Sequence, residues 1–163
     1  MTETCTVTPE VIRKSPLGKE LSAEQCGKLA DISLMACLAE GATLIEEGQS
    51  DETLFVVTQG TLEVVKHTGG DDWVTLQLLK PGDIAGELGF VDGIAHSATI
   101  RAISRAEVVF LKRADLEGLL AEDPDLVYRV MRAIMRTVHG ILRRMNLQFV
   151  EMSNYISKQH GRY

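Results

Sequence analysis

Lys80-Pro81-Gly82-Asp83-Ile84-Ala85-Gly86-Glu87-Leu88-Gly89-Phe90-Val91-Asp92-Gly93-Ile94-Ala95-His96-Ser97-Ala98-Thr99-Ile100-Arg101-Ala102 decides how the rest of the chain is read. Pro81-Gly82-Asp83 is turn chemistry, because proline presets φ and glycine accepts φ > 0. Ile84-Ala85 is a short apolar strand. Gly86-Glu87-Leu88-Gly89-Phe90 reads as one turn of helix, whose first N–H groups lack helical partners and are suited to an anion. Glu87 stands beside them with a carboxylate that can accept from ligand hydroxyls. His96 then opens a second apolar strand. An anion cradle, a hydroxyl reader and a titratable nitrogen base lie close together in sequence.

Outward from this stretch, the pattern on both sides is short apolar segments between turn residues. The segments are Ile32–Ala39, Thr43–Glu46, Thr53–Thr58, Thr61–Lys66, Trp73–Leu79, Ile84–Ala85, Ala98–Ile103 and Glu107–Lys112. Glycines at 41, 48, 60, 69, 70 and 82 break them. Strands at this spacing predict a jelly-roll-like β-roll. Leu54-Phe55-Val56-Val57 is apolar at every position, as in a strand buried on both faces.

Upstream, residues 1–7 are polar and read as loose. Thr8-Pro9-Glu10 predicts a short helix with Thr8 as N-cap. Ser15-Pro16-Leu17-Gly18 breaks it. Ser22-Ala23-Glu24-Gln25 is a capping-box pattern, predicting a helix from about Ala23 to Asp31. Downstream, Leu111 to Leu120 closes the roll with a short helix. Asp123-Pro124-Asp125 then starts a long helix that runs to about Ser157 before Gly161 ends it. The fold class is therefore mainly β with flanking helices: an N-terminal arm over 1–14, a β-roll over 15–122 and a long C-terminal helix over 123–160.

The long helix carries three apolar registers at heptad spacing: Val127, Ile134 and Ile141; Met131, Val138, Met145 and Met152; Met135, Leu142, Phe149 and Ile156. Two adjacent registers make a coiled-coil seam, and a third lets the helix meet the roll as well. The expectation is a parallel homodimer with Ile134, Val138, Ile141 and Met145 on the dimer helix. The arginines Arg129, Arg132, Arg136, Arg143 and Arg144 read as a solvated face.

The totals set outer limits. The chain has 163 residues and a formal net charge of −6, which suits one domain and argues against a basic nucleic-acid surface. Cys5, Cys26 and Cys37 have no CxxC spacing, so no metal site is expected. There is no apolar run of signal-peptide or membrane-spanning length, and the expected setting is cytoplasmic. No Gly-x-Ser-x-Gly, P-loop or His/Cys metal spacing is present, so no catalytic residues and no cofactor are assigned, and the chain is not read as an enzyme.

Gly86-Glu87-Leu88 followed by His96-Ser97-Ala98-Thr99-Ile100 resembles the phosphate-binding cassette of cyclic nucleotide-binding domains, and the resemblance covers about Ser15 to Leu120. It implies cyclic AMP, cyclic GMP or another small anion as ligand. The implied ligand-binding residues are Gly86, Glu87, Leu88, His96, Ser97, Ala98 and Thr99. N–H groups near Leu88, Ser97 and Ala98 would meet phosphate oxygens, Glu87 the 2′-hydroxyl, and Thr99 the phosphate or base. Val138, Ile141 and Leu142 of the long helix would cover the base and offer it no hydrogen bonds.

The chain departs from the pattern at one place: His96 stands where the family has its phosphate-pairing arginine. Arginine is a permanent, two-pronged donor, whereas histidine near neutral pH is mostly uncharged. Phosphate recognition is therefore expected to be weakened, and stronger in mild acid. Arg101 is a substitute only if the strand bulges. The alternative reading is a ligand-independent roll that dimerises and docks on another protein. In regulators of this type a DNA-binding domain follows the long helix; here the sequence stops at Tyr163, so direct DNA binding is not expected and the downstream partner is an unknown protein.

Overall fold

Each of the eight apolar segments between residues 32 and 112 becomes a strand in the computed structural model, which describes residues 4–160. In chain order the strands are β1 (Thr4–Thr6), β2 (Ser33–Leu38), β3 (Thr43–Ile45), β4 (Thr53–Gln59), β5 (Leu62–His67), β6 (Trp73–Leu79), β7 (Ile84–Ala85), β8 (Thr99–Ala102) and β9 (Ala106–Lys112). They form two antiparallel sheets, one ordered β1-β2-β9-β4-β7 and the other β3-β8-β5-β6. The helices are α1 (Pro9–Lys14), α2 (Ala23–Asp31), α3 (Glu87–Asp92), α4 (Arg113–Glu117) and α5 (Pro124–His160), with a 3₁₀ turn over Pro16–Gly18. The architecture is the expected β-roll with flanking helices.

β4 shows why a strand can be apolar throughout. Phe55 and Val57 face the other sheet, where they join Leu62, Leu79, Ile100 and Val108 in the interior of the roll. Leu54 and Val56 face the opposite way, into a second core with Ile12, Leu29, Val109, Leu126 and Ile134. Strand alternation assigns successive residues to these two cores, so a polar residue on either face would lose its water.

The N-terminal arm is not loose over the described residues. Thr4, Cys5 and Thr6 pair with Ala36, Met35 and Leu34, and Val7 and Ile12 belong to the helix-side core. The edge of β2 offers unpaired backbone groups that the arm satisfies. Residues 1–3 of that arm lie outside the described residues, as does Gly161.

The local signals act as expected, with one exception. Ser22 and Gln25 form both bonds of the capping box at 3.1 Å. Asp123 caps α5 by accepting from the Leu126 N–H at 3.0 Å. Thr8 occupies the N-cap of α1, yet its side chain makes no cap bond; proline at N1 and the Thr8 carbonyl, which accepts from Val11 at 3.0 Å, start that helix.

α5 corrects the expected dimer register. Ile134 is only 1% exposed and sits with Val127 and Val130 in the core beneath the helix, so it packs on its own roll and is not available to a partner. The first residues of α5 are the ones nearest the roll, and Ile134 lies one turn beyond Val130 on the same face. Val138 and Ile141 are half-buried, while Met135, Leu142, Met145, Phe149 and Met152 are exposed. The base of α5 is also fastened electrostatically: Arg136 meets Glu20 at 2.5 Å, Arg129 donates to the Glu20 carbonyl at 2.9 Å, and Lys28 meets Asp123 at 3.2 Å. Arg129 and Arg136 are thus anchors, whereas a solvated face was expected.

Candidate ligand site in the roll

The site is built from the turn between β7 and α3. Gly86 adopts φ +79°, a left-handed conformation, and an added Cβ would lie 2.5 Å from the Thr53 carbonyl oxygen. Glycine is therefore required both for its conformation and for the close backbone approach. At Gly89 a Cβ would lie 2.6 Å from the Asp51 carbonyl oxygen and 3.0 Å from His96 Cε1. The two glycines let α3 rest directly on the backbone of residues 51–53. Arg113 of α4 donates to the Phe90 and Val91 carbonyls at 3.4 and 3.3 Å and pairs with Glu52, fixing the far end of α3.

The segment from His96 to Thr99 is tied to the same neighbouring loop. The His96 N–H donates to Gln49 O, and His96 O accepts from the Gly48 N–H, both at 2.8 Å. Lys66 Nζ donates to Glu47 Oε1 at 2.7 Å and to the Ser97 carbonyl at 2.6 Å. Lys66 holds the Glu47 carboxyl below its usual range. The Thr99 hydroxyl accepts from the Glu47 N–H at 3.1 Å.

Between this cassette and α5 lies a cavity of about 520 Å³. That is within the range of roughly 300–1,000 Å³ typical of small-molecule sites. Gly86, Glu87, Leu88, His96, Ser97 and Ala98 line one side. Ile45, Val64, Leu79 and Ile100 of the roll form an apolar wall. Of the seven residues expected at the ligand, Thr99 is the one that the cavity does not reach. Val138 and Leu142 do not line it either. The helix presents Ile141, Arg144, Met145 and Gln148 instead, a single stripe at spacings of three and four. Arg144 and Gln148 are the functional candidates that the sequence reading missed; their spacing from Ile141 was the available signal, and both carry hydrogen-bonding groups that the expected apolar cover lacks.

The charges around the site are largely committed. His96 has a ring that is 7% exposed, with Nε2 at 3.2 Å from Asp51 Oδ2. Arg101 donates from Nε to Glu63 Oε1 at 2.5 Å and does not line the cavity. Burial pushes the Glu87 carboxyl above its ordinary value, opposed by its own backbone N–H and by nearby His96. A carboxyl raised in the folded state contributes stability that is complete below its unfolded value and is lost as pH rises through the folded one. Glu87→Gln is therefore expected to match the native protein at pH 4 and to melt higher at pH 7, by roughly 2–4 °C for each kcal/mol gained. Thermal unfolding across pH measures this, and a variant that gains nothing at pH 7 would show that the carboxylate is already well solvated.

The chain thus combines a two-sheet roll, a glycine-turned cassette and a long helix closing a cavity of small-molecule size. Residues 36–123, more than half of the chain, match the profile of the cyclic nucleotide-binding domain, and the chain belongs to that family. It is 30% identical over 120 residues to the cAMP-activated global transcriptional regulator CRP of Salmonella typhimurium, covering 72% of this chain and 57% of that protein. The chain thus spans little more than half the length of that regulator. A crystal structure of a cyclic nucleotide-binding domain from Methylobacillus flagellatus superposes with a TM-score of 0.82 at 21% identity, covering 93% of this chain and 89% of that one. The catabolite activator protein of Thermus thermophilus superposes at 0.72 with 26% identity, covering 85% and 63%. Among the described residues no helix is long and apolar enough to cross a membrane, and no group of three or more His, Cys, Asp or Glu could hold a metal ion.

Proposed function

We propose that this domain is a cytoplasmic, non-catalytic regulatory module that binds a cyclic nucleoside monophosphate, cyclic AMP or cyclic GMP, between the cassette and α5. The observation that carries this reading is the cavity itself, walled by six of the seven cassette residues and closed by one stripe of α5. The backbone N–H groups at Leu88 and around Ser97 and Ala98 take the phosphate, and Glu87 accepts from the ribose 2′-hydroxyl. The apolar wall of Ile45, Val64 and Ile100, with Ile141 above, takes the base. Thr99 has a structural part: its hydroxyl joins the strand to residue 47.

His96 weakens phosphate recognition in this reading. Its Nε2 is held by Asp51, and imidazole lacks the two parallel donors of a guanidinium. The chain acts as a homodimer through α5. Met135, Val138, Leu142, Met145, Phe149 and Met152 recur at alternating three- and four-residue spacing, the pattern of a two-helix seam; all but half-buried Val138 are exposed, and Met145 stands at the edge where the seam meets the cavity. Ligand shifts the population of arrangements between roll and helix, and a protein partner reads the result.

Calorimetric titration with cyclic AMP and cyclic GMP, on the native domain and on His96→Arg, tests the reading. Native binding in roughly the tens of micromolar is expected, with His96→Arg tighter by about ten- to a hundred-fold, the worth of a charged hydrogen bond. Absence of heat from both proteins, with dimers intact, would replace this reading by that of a ligand-independent interaction module.

A further inference from the structure

Three cations and one histidine surround the cassette, and each is already engaged by a carboxylate. Lys66 is held by Glu47, Arg101 by Glu63, Arg113 by Glu52 and His96 by Asp51. None of them is a spare positive charge for a ligand. Arg144 differs. It lines the cavity from α5, and among the described residues none forms an ion pair or hydrogen bond with its guanidinium. Gln148 lines the cavity one turn further on, and Ile141 one turn back. The cavity's titratable lining is thus Glu87 and His96 on the cassette side and Arg144 on the helix side.

We infer that Arg144 supplies the positive charge that a bound anion meets in this cavity, in place of a cassette arginine. The inference rests on the proposed binding of a cyclic nucleotide and adds the group that recognises its charge. A guanidinium with no carboxylate partner gains most from an anion, because no existing pair must be broken. Recognition by Arg144 makes the closing helix part of the binding determinant: an anion held there draws α5 onto the roll.

The test is titration of the native domain, Arg144→Gln, Arg144→Lys and His96→Ala with cyclic AMP and, separately, with uncharged adenosine. Thermal shifts with inorganic phosphate are recorded on the same proteins. Arg144→Gln is expected to lose about ten- to a hundred-fold in cyclic AMP affinity. Its adenosine affinity and its melting midpoint without ligand should stay native, and Arg144→Lys should recover part of the loss. His96→Ala should change cyclic AMP affinity by less than Arg144→Gln does.

An Arg144→Gln protein that binds cyclic AMP like the native one overturns the inference and leaves the proposed function standing. If the native protein binds neither cyclic nucleotide, the proposed function fails. A phosphate-induced shift that disappears in Arg144→Gln would still support Arg144 as the anion ligand, and one that persists there, or is absent from the native protein, would overturn it.

Discussion

Gly86→Ala is expected to lose about 3–5 kcal/mol of stability and with it any measurable ligand binding. Three effects coincide at this position. A left-handed backbone costs an L-residue about 1–2 kcal/mol. The new methyl would stand 2.5 Å from the Thr53 carbonyl oxygen, where the backbone of β4 must yield. It would also meet the Phe55 ring at 3.2 Å, inside the roll core. Relief of any one of these displaces β7 or α3, and both carry cavity residues. Gly140→Ala is the matched control, because nothing lies within 4 Å of its added Cβ and the position is helical. It should gain about 1 kcal/mol. Urea midpoints of the two variants measure the contrast; a Gly86→Ala protein with a native midpoint would mean that the fold accommodates a side chain at this turn.

The second large effect separates the two sides of α5. Ile134→Ala should cost about 2–5 kcal/mol at any protein concentration, because it opens a cavity in the core beneath the helix. Leu142→Glu lies on the uncovered side and removes nothing from that core. It should leave the unfolding midpoint of the isolated domain nearly unchanged while converting the proposed dimer to monomer, since a carboxylate in a two-helix seam loses its water without gaining a partner. Sedimentation equilibrium reads the second outcome. A dimer that survives Leu142→Glu would place the association elsewhere on the molecule.

Much of this molecule is legible in its sequence because its signals are local. Ser22-x-x-Gln25 predicts a capping box and makes one. Pro81-Gly82-Asp83 predicts a turn and gives it, with the Gly82 N–H donating back to Val57 O at 2.8 Å. β4 reads as buried on both sides, and it is. What the sequence does not reveal depends on distant geometry. Which of three heptad registers meets the roll is set by how α2 and the 3₁₀ turn seat α5, through Glu20 and Arg136 among others. That seating sends Ile134 inward and rotates Arg144 and Gln148 over the cavity, where the sequence suggests Val138 and Leu142. The arm is misread for a related reason: Thr4-Cys5-Thr6 has no strong strand signature and becomes a strand because β2 has an open edge. The departure at position 96 is visible in the sequence, yet only the fold reveals Asp51, 45 residues away, as the group that holds its ring.

The position of the cavity along α5 carries a mechanical consequence. The helix is clamped at its root by the Glu20 and Asp123 contacts and lines the cavity with Ile141 and Arg144. From Leu142 onward every described side chain is exposed, and this arm of α5 runs on past the cavity-lining Arg144, Met145 and Gln148 to His160. At 1.5 Å per residue that arm is about 28 Å long. A tilt of only about 10° at the cavity would sweep its tip through about 5 Å, the length of one helical turn. A small rotation of α5 at the cavity would therefore arrive at its far end as a displacement large enough to change which surface another molecule meets.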